Sequence, residues 1–274
     1  MSLSRLCRLH GISRQAVYQS EKRKQERLIE LAPVKDWIMD IRRFMPRLGT
    51  RKLYYLVKPK LEAASIKLGR DGLFDYLRSQ HMLVEPKRRY TKTTQSRHWM
   101  RKHPNLVKEW VPNKPEQLLV SDITYVESKQ GVHYLSLTTD AVSRKIMGYE
   151  VSDEMKTSDV VKALKMAVDT KQHTHPCIHH SDRGLQYCAS LYQDALAAYG
   201  IRPSMTDGYD CYQNALAERI NGILKQEFLL NKCNDINELK RVVEQSVAIY
   251  NNLRPHLSLG MRTPNQVHNM KKAD

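Results

Sequence analysis

One apolar stretch decides the fold, and it reads Leu118-Leu119-Val120-Ser121-Asp122-Ile123-Thr124-Tyr125-Val126. It has the composition of a buried strand, yet a carboxylate stands at its centre. A carboxylate there costs free energy unless it is paired or binds a metal ion. A second apolar run, residues 177–180, leads into Asp182, and a helical pattern farther on carries Glu218. With 59 residues between Asp122 and Asp182, and 35 between Asp182 and Glu218, two strands and a helix can bring three carboxylates together.

Three converging carboxylates suit Mg²⁺, which prefers oxygen ligands and is usually held by carboxylates together with substrate phosphates. Two such ions about 3.5–4 Å apart can hold the attacking and leaving oxygens of an in-line displacement at phosphorus. We therefore predict that Asp122, Asp182 and Glu218 are catalytic and bind two Mg²⁺ ions, which Mn²⁺ can replace. A single acidic residue is usually a solvated surface group, so the prediction depends on all three. His179 and His180 are predicted to be hydrogen-bonded core residues, because Mg²⁺ prefers oxygen.

Four ordered blocks of the chain resemble those of a known family. They are Ser121-Asp122-Ile123-Thr124-Tyr125-Val126, His180-Ser181-Asp182-Arg183-Gly184, Asn214-Ala215-Leu216-Ala217-Glu218-Arg219-Ile220-Asn221-Gly222 and Tyr250-Asn251-Asn252-Leu253-Arg254-Pro255-His256. They resemble insertion-sequence transposases with a retroviral-integrase-type core, and the 35-residue gap matches the D-D-35-E pattern of that family. The resemblance is strongest to the second-frame protein of two-frame, frameshifting insertion sequences.

The resemblance implies a DNA transposase that binds the terminal repeats of a mobile element. Water cuts one strand and exposes a 3′-OH, which then attacks a phosphodiester of double-stranded target DNA. It also implies a homo-oligomer on DNA, a first-frame partner protein or a frameshift fusion, and a place in the bacterial cytoplasm with the nucleoid. Two alternatives stay open: a metal-dependent RNase H-like nuclease that does not join strands, and a DNA-binding repressor with an inactive core.

The charge of the chain is concentrated in its first part. The 274 residues carry a net charge of +16, and residues 1–113 hold 26 basic and 10 acidic side chains, which accounts for all of it. A basic segment before a neutral one is typical of a nucleic-acid-binding region joined to a catalytic region. A merely soluble basic domain is the alternative.

Residues 2–18 have the pattern of a helix-turn-helix. The first helix has an apolar side and ends at Gly11, and Ser13 is a suitable N-cap for a second helix. The start of that second helix enters the major groove in such motifs, so Arg14 and Gln15 are predicted to contact DNA. Plain packing of two short helices is the alternative.

A second helical DNA-binding region is predicted at residues 32–86, followed by a basic linker at 87–113. The region resembles a second helix-turn-helix-like part of these transposases, and a linker of this kind can follow a DNA backbone. Solvated basic residues and an ordinary connector are the alternatives. Predicted phosphate contacts in these two segments are Arg47, Arg51, Lys52, Arg70, Lys87, Arg88 and Arg89.

Residues 1–31 are assigned to the helix-turn-helix. Residues 114–274 are assigned to the catalytic core with a C-terminal helix. The core pattern is three strands, then strands alternating with helices. We predict an α/β protein whose RNase H-like core, a five-stranded mixed sheet flanked by helices, follows a small all-α helix-turn-helix region. In such a sheet the first and fourth strands are neighbours, which brings Asp122 and Asp182 together.

One long helix, residues 214–229, is predicted to present Glu218 to the sheet. Asn214, Glu218, Asn221 and Lys225 fall on one face of it. We predict that Asn214 and Asn221 orient the site and that Lys225 contacts a DNA phosphate, although such side chains are often simply solvated.

Several classes of protein are disfavoured. The five cysteines include no Cys-x-x-Cys pair, which argues against a disulfide framework and against a structural zinc site. No apolar stretch is long enough for a membrane span, so no membrane association is predicted. The chain also lacks a nucleotide-binding Gly-x-x-x-x-Gly-Lys-Ser/Thr loop.

Overall fold

The computed structural model describes residues 2–85, 99–207 and 214–270, so Lys87, Arg88 and Arg89 lie outside the described residues. The chain divides into two compact units, Met1–Val84 and Glu85–Asp274. The four domain boundaries drawn from the sequence stay a prediction. Within the described ranges, no helix combines the length and the apolar character that crossing a membrane requires.

The first unit is helical throughout its described part. Its helices are α1 (Leu3–Leu9), α2 (Arg14–Glu30), α3 (Ala32–Phe44), α4 (Thr50–Ala63) and α5 (Arg70–Ser79). Gly11 adopts a left-handed φ of +64° between α1 and α2, and the Ser13 hydroxyl accepts a hydrogen bond from the Ala16 N–H at 3.0 Å. Helix α2 buries no side chain, which fits its highly charged sequence.

The core of this unit lies among the last three helices. Each contributes apolar residues with almost no exposure, at the three- and four-residue spacing that places side chains on one helix face. Fully buried members are Val34, Ile38, Leu53, Val57, Leu73 and Leu77.

The second unit contains the predicted five-stranded mixed sheet, in the order β3-β2-β1-β4-β5. The strands are β1 (Leu118–Ser128), β2 (Gly131–Asp140), β3 (Ile146–Ser152), β4 (Ile178–Ser181) and β5 (Arg202–Met205). The pairs β1–β2 and β2–β3 are antiparallel, whereas β1–β4 and β4–β5 are parallel. The fold class and the adjacency of the first and fourth strands are therefore confirmed.

Helices cover both faces of the sheet. They are α6 (Thr157–Asp169), α7 (Leu185–Cys188), α8 (Ser190–Ala198), α9 (Ala215–Ile223), α10 (Ile236–Asn252) and α11 (Pro264–His268). Side chains of β1 alternate between the faces. Leu119 and Ile123 join a core with α6, α7 and α8, whereas Leu118 and Val120 pack with Ala217 of α9. Asp122, two positions after Val120, therefore lies on the α9 face.

The long helix predicted at residues 214–229 is not one regular α-helix. Helix α9 ends at Ile223 and a π-helical segment, Leu224–Phe228, follows it. A π-helix adds a residue to the turn, so it changes the direction in which later side chains point. Lys225 lies in this segment, and its orientation is therefore not given by the 3.6-residue period.

Gly148 allows α6 to pack closely on β3. A Cβ atom at this position would stand 1.9 Å from the Ala163 carbonyl oxygen and 2.8 Å from the Ala167 nitrogen. Both atoms belong to the helix backbone, which cannot rotate away as a side chain can.

We expect Gly148→Ala to lower the free energy of unfolding by about 3 kcal/mol or more, the upper part of the range for an overpacked core. Chemical denaturation of the two proteins measures the change. Gly222→Ala is the control, because a Cβ at Gly222 meets no atom within 4 Å. Equal losses in both variants would contradict the close-packing explanation.

Helix α11 is held to the core by a buried charged cluster at the start of β1. Glu116, His268 and Asp140 have no exposed side-chain surface. The Nε2 atom of His268 lies 3.1 Å from a Glu116 oxygen. Burial disfavours charge on Glu116, but hydrogen bonds from His268 and two backbone N–H groups outweigh it and lower the pKa of Glu116 to about 2. These contacts hold α11 against the residues that precede β1.

Candidate active site

The parallel register of β1 and β4 places the first two carboxylates at one level. Val120 pairs with His180, so Asp122 and Asp182 each stand two residues farther along their chains. Asp182 follows the end of β4, where a parallel strand gives way to a loop. Gly184 donates its N–H to an Asp182 carboxylate oxygen at 3.0 Å, and this tight turn fixes the direction of the side chain.

The two aspartates and Glu218 interact electrostatically. Burial raises the pKa of Asp122 to about 7, and the negative charges of Asp182 and Glu218 contribute to this shift. Partial burial of its carboxyl group and the charge of Asp182 raise the pKa of Glu218 as well. A cation bound among these carboxylates would offset their repulsion and favour the ionised forms at neutral pH.

Two asparagines of the predicted polar stripe connect α9 to β1. Asn221 donates its amide N–H to the Asp122 carboxylate at 2.7 Å. Asn214 instead donates to the backbone carbonyl of Ser121 at 3.1 Å. The amide oxygens of both asparagines are buried and accept no hydrogen bond from the described protein residues. Unused oxygen acceptors therefore stand beside the carboxylates.

Lys225 reaches back to the same strand. Its ammonium donates to the Thr124 hydroxyl at 3.2 Å, and Thr124 lies two residues after Asp122 on the same face of β1. Burial lowers the pKa of Lys225, and the charges of Glu127 and Asp122 act against this shift. A positive charge thus lies beside the carboxylates, at the side of the site where β1 continues.

The donor atoms suit a divalent cation, although the three carboxylates are not arranged around one ion position. All the groups are oxygen donors, the choice of Mg²⁺ rather than of a thiolate-seeking metal. Among residues 2–85, 99–207 and 214–270, no three His, Cys, Asp or Glu side chains are close enough to hold one ion together. Glu218 is exposed on α9, so it contributes charge from the rim of the site.

The two histidines before Asp182 are buried hydrogen-bonding residues. Each is 1% exposed. His179 Nε2 lies 2.8 Å from the Ser121 hydroxyl, and His180 Nδ1 lies 2.9 Å from the Ser204 hydroxyl. Burial first, and then the neighbouring His180, lower the pKa of His179 to about 3, so its ring is neutral.

Arg254, which belongs to the fourth sequence block, is a core residue with 1% exposure. Its guanidinium donates two hydrogen bonds to the Glu227 carboxylate, at 2.8 and 2.6 Å, and also lies 3.0 Å from His256 Nε2. Nearby, Asn251 bonds both backbone groups of Ile146. The fourth sequence block therefore fastens α10 to the core.

The predicted DNA contacts of the first unit lie on its surface or at its edge. Arg14 and Gln15 are exposed in the first turn of α2. Arg51 is exposed in the first turn of α4, and exposed Arg70 pairs with Asp71 at 2.9 Å. Arg47 and Lys52 are half-buried. Their role toward DNA stays a prediction.

Sequence reasoning missed the contributions of Ser121, Thr124 and the Arg254–Glu227 pair. Small hydroxyl residues are ordinary constituents of strands, so nothing marked these two as partners of His179 and Lys225. Arg254 and Glu227 are separated by 26 residues, and only the fold brings them together.

The comparisons with known proteins agree with this fold. Integrase core domain models match residues 112–211 and 199–264. The chain is 32% identical over 272 residues to an uncharacterized 31 kDa protein of insertion element IS600 from Shigella sonnei, covering 94% of this chain and 96% of that protein. It is 30% identical over 200 residues to transposase InsF of insertion sequence IS3A from Escherichia coli K12, covering 72% and 69% of the two chains.

A solved structure shows a similar fold. It is a simian T-cell lymphotropic virus intasome in complex with PP2A regulatory subunit B56 gamma. It matches with a TM-score of 0.53 and 18% identity, covering 82% of this chain and 76% of that chain. The full-length relative and the integrase core matches lead to one conclusion: this chain belongs to the insertion-sequence transposases with an integrase-type core, a family of DNA transposition.

Proposed function

We propose that this protein is a DNA transposase that binds the terminal repeats of its element, cuts one strand and joins the exposed 3′-OH to target DNA. The observation that carries the proposal is the set of Asp122, Asp182 and Glu218, in which the charges of Asp182 and Glu218 raise the pKa of Asp122 and the charge of Asp182 raises the pKa of Glu218. An arrangement that costs stability in this way is expected where a function needs it.

The carboxylates are proposed to hold two Mg²⁺ ions, which Mn²⁺ can replace. When bound, the ions neutralise charge at the reacting phosphate and orient the attacking and leaving oxygens. Asp122 and Asp182 are the inner ligands in this proposal because adjacent strands fix them. Glu218 completes the set by rotation of its side chain from the exposed face of α9.

The neighbouring side chains hold the carboxylates and the DNA. Asn221 restrains one oxygen of Asp122 and leaves the other for a ligand. Lys225, displaced from Thr124 by a phosphate oxygen, would bind the DNA backbone next to the reacting group. No nucleophilic side chain is needed, because water and then a 3′-OH supply the attacking oxygen.

The first unit is proposed to read the element ends. Exposed Arg14 and Gln15 at the start of α2 suit the major groove, and Arg47, Arg51, Lys52 and Arg70 suit the phosphate backbone. Lys87, Arg88 and Arg89 would extend this contact. We further propose homo-oligomerisation on DNA, participation of a first-frame protein or fusion, and action at the bacterial nucleoid.

The test is a strand-joining assay with labelled element ends and Mg²⁺ or Mn²⁺, with and without the first-frame protein. We expect joined products from the wild type and at least about 10²–10³-fold less from Glu218→Gln, the loss typical when one charge-stabilising group is removed. Glu244→Gln, an exposed substitution on α10, is the matched control and should join normally. Nicking without joining would indicate a nuclease, and binding of ends without any cutting would indicate a repressor.

A further inference from the structure

A group of buried polar side chains crosses the otherwise apolar layer beneath Asp122. The Ser121 hydroxyl lies 2.9 Å from the Thr138 hydroxyl and 2.8 Å from His179 Nε2. The Tyr192 hydroxyl lies 2.9 Å from the same nitrogen. These four residues, which we call the hydroxyl–histidine chain, come from β1, β2, β4 and α8, and each is at most 1% exposed.

The surroundings of this chain are hydrophobic. Leu119, Ile123 and Leu196 belong to the core cluster that contains Tyr192. Burying polar groups among apolar ones costs free energy unless each is hydrogen-bonded, and a satisfied network fixes one arrangement of its elements. An all-apolar layer would serve stability equally well, so the network calls for another explanation.

The position of the hydroxyl–histidine chain in the sheet supplies this explanation. The β1–β4 ladder has only three residue pairs and ends with Val120 and His180. Asp122 and Asp182 each lie two residues beyond that last pair. The Ser121–His179 contact crosses the same two strands on the face opposite Asp122, with Ser121 directly before that residue. It therefore restrains β1 against β4 where the ladder stops.

We infer that the hydroxyl–histidine chain is a positioning network, which holds Asp122 level with Asp182 so that both can bind one pair of divalent cations. The inference rests on the proposed function and adds residues that do not touch metal or DNA. The Tyr192 hydroxyl orients the ring of His179, and this ring restrains the Ser121 hydroxyl. Thr138 restrains Ser121 from β2, the other strand beside β1. Neutral His179 suits this role, since it accepts or donates a hydrogen bond without placing a charge beneath the site.

Two buried tyrosines offer a matched comparison. Tyr192 and Tyr250 are both fully buried. The Tyr192 hydroxyl bonds His179, whereas the Tyr250 hydroxyl donates to the Arg144 carbonyl at 2.9 Å and takes no part in the hydroxyl–histidine chain. Replacement by phenylalanine removes one buried hydroxyl and its hydrogen bond in each case, but only Tyr192→Phe cuts the network.

The experiment measures Mg²⁺ and Mn²⁺ affinity of the DNA-free full chain by calorimetry, thermal unfolding in EDTA, and the Mg²⁺ dependence of strand joining. Loss of residues that orient metal ligands typically weakens metal affinity about 10–100-fold. We expect Ser121→Ala to weaken Mg²⁺ affinity about tenfold and Tyr192→Phe about threefold, with Mn²⁺ less affected. Tyr250→Phe should keep the wild-type Mg²⁺ affinity.

The outcomes separate the two proposals. If wild-type protein binds Mg²⁺ and joins ends, and Ser121→Ala and Tyr192→Phe change only the unfolding temperature, the positioning network is disproved and the proposed function stands. If the wild type neither binds the metal nor joins ends with its partner present, the proposed function fails first. If the Ser121→Ala protein folds poorly, the comparison of Tyr192→Phe with Tyr250→Phe decides.

Discussion

Asp122→Asn is expected to reduce cutting and joining of DNA ends at least about 10³-fold. The variant should nevertheless fold at least as stably as the wild type at pH 8. The activity is lost because an amide supplies one neutral oxygen where the proposed site needs a charged ligand. The stability is kept because the change removes a carboxylate that burial and two neighbouring charges disfavour. The Asn221 contact can persist with the amide oxygen as acceptor.

The pH dependence of this difference follows from linkage. The pKa of Asp122 is about 7 in the folded protein and 3.8 for an ordinary aspartate, so the folded state binds this proton more tightly than the unfolded state. Through this group, stability falls as pH rises from about 4 to about 7, by at most about 4 kcal/mol. The asparagine variant lacks this loss. The two proteins should therefore have similar stability near pH 4 and diverge by pH 8.

Denaturant unfolding in EDTA at several pH values, together with the strand-joining assay, checks the prediction. Asp194→Asn is a suitable control, because that aspartate is exposed on α8. Adding Mg²⁺ should stabilise the wild type and not Asp122→Asn. An active Asp122→Asn protein, or one less stable than the wild type at pH 8, would contradict the assignment.

Arg254→Ala is expected to lower the free energy of unfolding by about 3–5 kcal/mol. The guanidinium is almost completely buried and makes a bidentate pair with Glu227, and its removal leaves a carboxylate without its counter-charge in a partly buried site. It also removes a cation that lies 5.9 Å from the Tyr250 ring. The loss should extend to α10, which this pair connects to the π-helical segment.

Urea unfolding measures this loss, and Arg241→Ala is the matched control. Arg241 is exposed on α10, so its removal should change the stability by no more than about 0.5 kcal/mol. Arg254→Lys keeps the charge but not the two parallel hydrogen bonds, so an intermediate loss is expected. If Arg254→Ala weakened DNA binding without changing stability, the arginine would be a DNA contact after all.

The main helices and strands of the second unit could be predicted from the sequence, because apolar runs and helical periods are local signals. The two apolar runs agree with strands to within two residues, since β1 is Leu118–Ser128 against 118–126 and β4 is Ile178–Ser181 against 177–180. The prediction was less successful at the end of α9. A regular 3.6-residue period does not reveal a π-helical segment, so the direction of Lys225 toward Thr124 had to come from the structure.

By itself, the sequence determined the family, the fold class and which carboxylates are candidates, because ordered blocks and their spacing are properties of the chain. Only the tertiary structure decided what surrounds them. It decided that Asn221 bonds Asp122, that Ser121 meets His179 across the β1–β4 pair, and that Arg254 is a buried partner of Glu227. The physical reason is that these contacts join residues 27 to 99 positions apart, and hydrogen bonds of that kind depend on how strands and helices pack rather than on any local pattern.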